Sequence, residues 1–125
     1  TENKTSRAWV AEVQQTDGSR QIAGMLVLWL ILDEAHIATI ATHPDYRRRR
    51  ISERLLARGL LEAQKEGAVQ AFLEVRRGNL AAQALYQKFG FEITSVRPRY
   101  YRDNGEDALL MTLEPIDQQN LERLV

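Results

Sequence analysis

The sequence predicts an α+β domain built on a mixed β-sheet, with an antiparallel meander followed by a strand-helix-strand-helix core and closing strands. Three observations support this prediction of the fold class. The first third of the chain contains three strand-like apolar segments separated by short polar turns, the middle alternates strand and helix patterns, and two strand-like segments close the chain. A strand, a helix and a second strand in succession imply a parallel pair joined by a right-handed crossover. No repeat or linker interrupts residues 1–125, so we expect a single domain.

The predicted meander occupies the N-terminal third. Trp9 to Gln14 is the first strand, and Thr16 to Ser19 has the composition of a turn. Gln21 to Leu32 is a longer strand whose nearly unbroken apolar character indicates burial on both faces. Asp33 to Ala35 makes the next turn, and Ile37 to Thr42 is the third strand.

The middle of the chain predicts two helices around one strand. Ile51 to Glu66 has an apolar stripe at helical spacing, and Gly67 is a natural stop. Val69 to Val75 is a compact strand. Asn79 is a natural cap for a second helix, which ends before Gly90.

Two closing strands follow, Phe91 to Val96 and Asp107 to Leu113, joined by a polar stretch from Arg97 to Glu106. The tail, Ile116 to Val125, has the pattern of a short amphipathic helix.

Composition excludes several function classes. Lys plus Arg and Asp plus Glu number 17 each, so no net charge recruits nucleic acid or a membrane surface. The apolar run from Ile22 to Leu32 is too short to span a bilayer. The chain has no Cys, hence no disulfide and no thiol nucleophile, and this fits the cytoplasm. His36 and His43 are too far apart, and too poorly accompanied by Asp or Glu, to make a metal site, so no metal is expected.

The arginine-rich loop from Tyr46 to Ser52 is the first candidate site, because it leads directly into a helix. A helix N-terminus offers unpaired N–H groups and a partial positive charge, which suit a phosphate or pyrophosphate. Arg47 to Arg50 would add charge-assisted hydrogen bonds. A solvated basic loop is an equally open reading. Nucleic-acid binding is disfavoured because no aromatic residues interleave the arginines.

Glu74 and Tyr86 are the candidate proton-transfer groups. Glu74 shares a strand face with Phe72, and a carboxylate buried there would suit a general base. The competing reading is a Glu at the strand end that pairs with Arg76 or Arg77. Tyr86 lies on the apolar face of the second predicted helix, where its phenol would be either a proton donor or a core side chain.

These segments occur in an order that resembles the GNAT superfamily of acetyltransferases. Ile40 to Arg47, with the loop and helix behind it, is similar to the family's acetyl-CoA segment. Leu73 to Arg76, Asn79, and Ala84 to Phe91 look like the segment that follows. Tyr100-Tyr101 with Gly105 to Ala108 resembles the N-terminal acetyltransferase branch, above all the bacterial ribosomal-protein-alanine enzymes.

The resemblance implies acetyl-CoA as cosubstrate, no metal, and a role for each matching residue. Glu74 would be the base acting on the acceptor amine, and Tyr86 the acid toward the CoA thiolate. The polypeptide acceptor would contact Tyr100 and Tyr101. The residues implied to hold the cosubstrate are Ile40, Ala41 and Thr42 through backbone groups, Arg48, Arg49, Arg50, Ile51, Ser52 and Glu53 in the pyrophosphate loop, and Asn79 near the thioester.

Two features depart from the family pattern. Arg50 stands where relatives carry Gly, and Ser52 where they carry Gly or Ala. Arg50 would obstruct the pyrophosphate or turn outward and bind the 3′-phosphate of CoA. Relatives also carry a strand and two helices ahead of the strand at Trp9. Without them a sheet face is expected to stay uncovered and to drive self-association into a homo-oligomer, with the segment Leu121 to Val125 exchanged between subunits.

The function implied is acetylation of the N-terminal amine of a protein, which makes a ribosomal protein the expected partner. Two alternatives stay open at this point. One is acetylation of a small amine, because the superfamily serves many acceptors. The other is a degenerate domain that binds CoA weakly or binds only a protein, an alternative that Arg50 and Ser52 support.

Overall fold

The structure, a computed structural model, describes residues 4–46 and 50–124. In this part of the chain six strands form one mixed sheet in the order β1-β2-β3-β4-β6-β5. The elements in chain order are β1 Lys4–Gln14, β2 Arg20–Ile31, β3 Glu34–Thr42, a 3-10 turn Pro44–Tyr46, α1 Ile51–Lys65, β4 Gln70–Arg76, α2 Leu80–Phe89, β5 Glu92–Arg97, β6 Ala108–Leu113 and α3 Gln118–Leu124. The α+β class and the order of elements are therefore as the sequence predicts.

The N-terminal meander is antiparallel, and its strands alternate between the two sheet faces. Trp9 faces α1, so the next residue, Val10, faces away, where it pairs with Met25 of β2. Val10 is 53% exposed and Met25 39% exposed. The prediction that β2 is buried on both faces is therefore wrong: its apolar run is covered by helices on one face only.

β3 and β4 form the parallel pair that the sequence predicts, but they pair over a short distance. Their register joins only Glu34, Ala35 and His36 to Gln70, Ala71 and Phe72 in the described residues. β3 continues to Thr42 and β4 to Arg76. The two strands separate beyond this point, and a gap opens in the middle of the sheet.

A glycine sets the approach of α1 to the sheet. A Cβ at Gly59 would collide with the side chain of Leu26, so only Gly permits this packing. α3 packs against α1. The buried core between the sheet and the helices contains Leu26, Leu28, Leu56, Leu60, Leu73, Phe89, Phe91, Met111 and Leu121.

Both ends of α2 are capped by the residues that the sequence indicates. The Asn79 side chain accepts a hydrogen bond from the backbone N–H of Ala82 at 3.1 Å. Gly90 ends the helix with φ of 101°, a conformation that residues with a Cβ rarely adopt. Within residues 4–46 and 50–124, no helix is both long and apolar enough to cross a bilayer.

Candidate functional site

The gap between β3 and β4 contains a cavity of about 330 Å³. Glu74 reaches it from β4 and Tyr86 from α2, and the backbone edge of β3 forms the opposite wall. Its polar lining also includes Thr39, Arg76, Asn79 and Tyr101. The two candidate proton-transfer groups therefore line one cavity, although they come from different elements.

A larger groove of about 860 Å³ continues from this cavity along the N-terminus of α1 and one side of α2. It shares Ile40, Asn79, Ala82 and Tyr86 with the smaller cavity. The described candidates for cosubstrate binding all line it: Ile40, Ala41, Thr42, Arg50, Ile51, Ser52, Glu53 and Asn79. Arg48 and Arg49 lie outside the described residues.

The N-terminus of α1 opens into this groove. Arg50 is its N-cap and makes no side-chain cap hydrogen bond, and no other described side chain is recorded as capping this helix end. Among the described residues, no side chain therefore competes with an anion for the first N–H groups of the helix. Arg50 adopts φ 60° and ψ 24°, the left-handed conformation that Gly adopts without cost.

The Arg50 side chain pairs with Glu53 in the first turn of α1. The backbone therefore keeps the course that a Gly would allow, and the guanidinium folds along the helix. The sequence leaves two outcomes open for Arg50, and one of them is obstruction of the helix end. This conformation of the Arg50 side chain does not imply obstruction.

Thr42 and Ser52 join the end of β3 to the first turn of α1, because their hydroxyl groups are hydrogen-bonded to each other. Ser52, which stands where the family carries Gly or Ala, thus has a structural partner. From Ile37 onward β3 has no strand partner toward β4 in the described residues, so its backbone edge can pair with an extended ligand.

Glu74 differs from its expectation. Its side chain is 29% exposed, and its Oε1 lies 3.2 Å from Nη1 of Arg97 on β5. The expectation of a buried carboxylate is therefore wrong, and so is the competing pairing with Arg76 or Arg77. Arg76 pairs instead with Asp103, and Arg77 pairs with Asp107.

Tyr86 is 6% exposed and packs edge-on against Phe91, with the ring centroids 6.0 Å apart. Burial raises the pKa of Tyr86 above its ordinary value of 10.0. The phenol consequently stays protonated at neutral pH, as a proton donor must. It is a core side chain and a lining residue of the cavity at once, so the two readings of Tyr86 do not exclude each other.

Tyr101 enters the cavity from the polar loop between β5 and β6. The Arg76 guanidinium lies 3.9 Å from the centroid of its ring, and Asp103, two residues further along the same loop, pairs with this guanidinium at 3.0 Å. Burial, followed by the charge of Glu74, raises the pKa of Tyr101. Tyr100 is 46% exposed and packs edge-on against Tyr101. The structure thus brings Tyr101 to the cavity and leaves Tyr100 at its rim.

Two basic residues at the site were not singled out by the sequence: Arg97 beside Glu74, and Lys88 in the groove. Lys88 follows Tyr86 by two positions and would be expected on a different helix face. Only the contact between α2 and the first turn of α1 reveals its carboxylate partner, Glu53.

The comparisons with known proteins agree with this geometry. A model of the Acetyltransferase (GNAT) family matches residues 1–91. A Bacillus subtilis (strain 168) relative, whose name proposes a [ribosomal protein bS18]-alanine N-acetyltransferase, is 40% identical over 99 residues, which cover 79% of this chain and 64% of that protein.

Two solved acetyltransferase structures are also similar to this chain. The ribosomal-protein-S18-alanine N-acetyltransferase from Escherichia coli superposes with a TM-score of 0.72 at 37% identity, covering 86% of this chain and 70% of that one. A GNAT family acetyltransferase from Elizabethkingia anophelis, solved with acetyl-CoA bound, superposes with a TM-score of 0.69 at 25% identity, covering 75% and 69%.

The chain spans 64% of the length of the Bacillus subtilis relative. Because the family model covers most of the sequence, and the groove lies where the sheet divides, the chain belongs to the GNAT acetyltransferase family.

Proposed function

We propose that this protein transfers the acetyl group of acetyl-CoA to the N-terminal amine of a protein, with a ribosomal protein as the acceptor. The observation that carries the proposal is the division of the sheet, which puts Glu74, Tyr86 and Tyr101 around one cavity beside a groove with an open helix N-terminus. The names of the Bacillus and Escherichia relatives supply the acceptor class. Such an acceptor places the reaction in the cytoplasm.

The residues of the groove fit the cosubstrate. The open N–H groups of Ile51, Ser52 and Glu53 suit a pyrophosphate, and the unpaired edge of β3 suits an amide-containing arm. Asn79 lines both cavities, but its side-chain oxygen already caps α2. Only its remaining hydrogen-bonding groups would serve a ligand. Acetyl-CoA supplies an activated thioester, so the transfer requires no enzyme nucleophile, in agreement with the absence of Cys.

The roles of the protein groups follow from their chemistry. Glu74 accepts a proton from the acceptor ammonium, directly or through water, and leaves a neutral amine whose lone pair attacks the thioester carbon. The carbon–sulfur bond breaks as the amide bond forms, and Tyr86 donates its proton to the departing sulfur. The attacking nitrogen becomes positively charged as it bonds to carbon and loses its second proton to water, and Tyr86 regains a proton from solvent. Tyr101 contacts the acceptor polypeptide at the mouth of the cavity.

The direct test has two arms. Calorimetric titration with acetyl-CoA should show binding that weakens as salt rises, because the groove binds phosphates through basic groups. A peptide with a free N-terminal Ala should then be acetylated, and the same peptide acetylated beforehand should give no product. Absence of binding at millimolar acetyl-CoA would refute the proposal. Binding without transfer to the peptide would refute the acceptor class and leave the cosubstrate.

A further inference from the structure

Glu53 is the one charged residue that is buried in the described part of the chain, with 4% exposure. It lies in the first turn of α1, at the end of the groove where phosphate groups would bind. No step of the proposed transfer uses its carboxylate. A buried carboxylate beside an anion-binding helix end therefore requires an explanation of its own.

Two cations hold this carboxylate, one from each wall of the groove. Nε of Arg50 contacts Oε2, and Nζ of Lys88 contacts Oε1. Burial would raise the pKa of Glu53, but the hydrogen bonds from Lys88 and Arg50 outweigh it and lower the pKa. Glu53 is thus ionised at neutral pH and carries one negative charge between two positive ones.

Both cations pair with Glu53, but their side chains remain exposed in the groove. Their side chains are 58% exposed for Arg50 and 52% exposed for Lys88, and both line the groove. A guanidinium has five N–H donors and an ammonium three. Contact with one carboxylate oxygen each leaves donors that can face a phosphate. Arg50 precedes α1 and Lys88 belongs to α2, so Glu53 ties both walls to the helix N-terminus.

We propose that Glu53 is a positioning residue that holds Arg50 and Lys88 on either side of the N-terminus of α1, where both cations bind the phosphate groups of the cosubstrate. This inference rests on the proposed function, since it concerns the same groove. It assigns phosphate binding to Lys88 and gives the Glu53 carboxylate an indirect role, through the two cations and not through its own contact with the ligand.

Replacement of Glu53 by Gln distinguishes a positioning role of Glu53 from the direct electrostatic effect of its charge on the ligand. Coulombic attraction alone predicts that E53Q binds a polyanion more tightly, because a negative charge beside the phosphates is lost. Positioning predicts weaker binding, because both cations lose the partner that fixes their side chains. The two explanations therefore predict opposite signs for one measurement.

The experiment is calorimetric titration of the full chain with CoA, which binds but transfers nothing. We expect E53Q and K88M each to weaken CoA binding by about tenfold, the scale of one charge-assisted hydrogen bond. In the E53Q background, K88M should cost much less, because Lys88 has already been released. K65M is the matched control: Lys65 pairs with Glu62 at the other end of α1 and should leave the affinity unchanged.

Thermal unfolding of each variant without ligand shows that the folded protein is being titrated. Wild-type or tighter CoA binding by E53Q would overturn the positioning role. An equal cost of K88M in both backgrounds would mean that Lys88 acts without Glu53, and would also overturn it. Failure of the wild-type chain to bind CoA would remove the proposed function as well, so the two failures are distinguishable.

Discussion

Glu74 and Arg97 meet across an intervening strand: Glu74 lies on β4, Arg97 on β5, and β6 separates the two. The distance from Glu74 Oε1 to Arg97 Nη1 is 3.2 Å, and the two side chains are 29% and 56% exposed. One oxygen of the candidate base is therefore in contact with a cation before any acceptor arrives. An acceptor ammonium must share this carboxylate with Arg97 or displace the guanidinium.

We expect E74Q to lower turnover by about 10²–10⁴-fold, the usual cost of one proton-transfer group. The affinity for acetyl-CoA should stay near that of the wild type, because Glu74 lines only the smaller cavity. Steady-state kinetics with the alanine peptide and calorimetry with acetyl-CoA measure the two quantities. Full activity of E74Q would reduce Glu74 to a structural ion-pair partner.

R97M tests the contact between the two residues. A partly exposed ion pair contributes about 0.2–1 kcal/mol, so loss of its orienting effect should change kcat/KM by roughly fivefold or less. In the E74Q background, R97M should have no further effect on turnover. A loss in R97M as large as that in E74Q would instead assign Arg97 a direct role with the acceptor.

Y86F should lower turnover by about 10²–10⁴-fold without weakening acetyl-CoA binding, because the phenol proton is used only as the thiolate leaves. Since burial raises the pKa of Tyr86, the phenol keeps its proton to a higher pH than a free tyrosine does. The basic limb of the kcat profile should consequently lie above pH 10. A Y86F variant with wild-type turnover would make Tyr86 a core residue alone.

The raised pKa of Tyr86 also affects the stability of the fold at high pH. A phenol whose pKa is higher in the folded state than in the unfolded state stabilises the fold fully below the unfolded pKa near 10. This contribution is lost as pH rises through the folded pKa. Chemical unfolding of the wild type should therefore show a steeper decrease in the free energy of unfolding above pH 10 than that of Y86F.

The order of elements could be predicted because periodicity and capping are local. Asn79 and Gly90 bound α2 in the structure as they do in the pattern. The starts of β1 and β3 were less predictable. β1 begins at Lys4, before Trp9, because residues 4–7 are all polar and give no apolar alternation. β3 begins at Glu34, inside the predicted turn.

The candidate site was only partly predictable, because its decisive contacts join residues far apart in the chain. β3 separates from β4 after three paired residues, and no local sequence pattern indicates this separation. The partner of Glu74 depends on which strand lies beyond β6, and the partner of Glu53 on how α2 approaches α1. The sequence pattern identifies these acidic residues, but it does not indicate which basic side chains pair with them.

Self-association stays a prediction, and the structure gives it a location. Val10 and Met25 are cross-strand partners on the sheet face opposite the helices, and both are exposed. We expect a second copy to cover this face, and expect V10K/M25K to shift light scattering at micromolar concentration toward the monomer mass. The double variant should unfold near the wild-type temperature, because neither side chain is buried. A monomeric wild-type protein would contradict the prediction.

The backbone of Arg50 allows a comparison that is independent of activity. R50A and R50G both remove the guanidinium and its contact with Glu53, so they differ only in backbone preference. A residue with a Cβ at φ 60° costs about 1–2 kcal/mol, whereas Gly adopts this conformation freely but loses more entropy on folding. We expect R50G to be the more stable of the two by about 1 kcal/mol in urea unfolding.

Arg54, one turn later in α1, is the matched control, because it is exposed and helical. There the order should reverse, since Gly in a helix interior is less stable than Ala by about 0.5–1 kcal/mol. Opposite orders at two arginines one turn apart would locate the left-handed residue at Arg50. The same order at both positions would contradict it. In that case α1 would begin earlier in the chain, and its open N-terminus would not lie at the phosphate end of the groove.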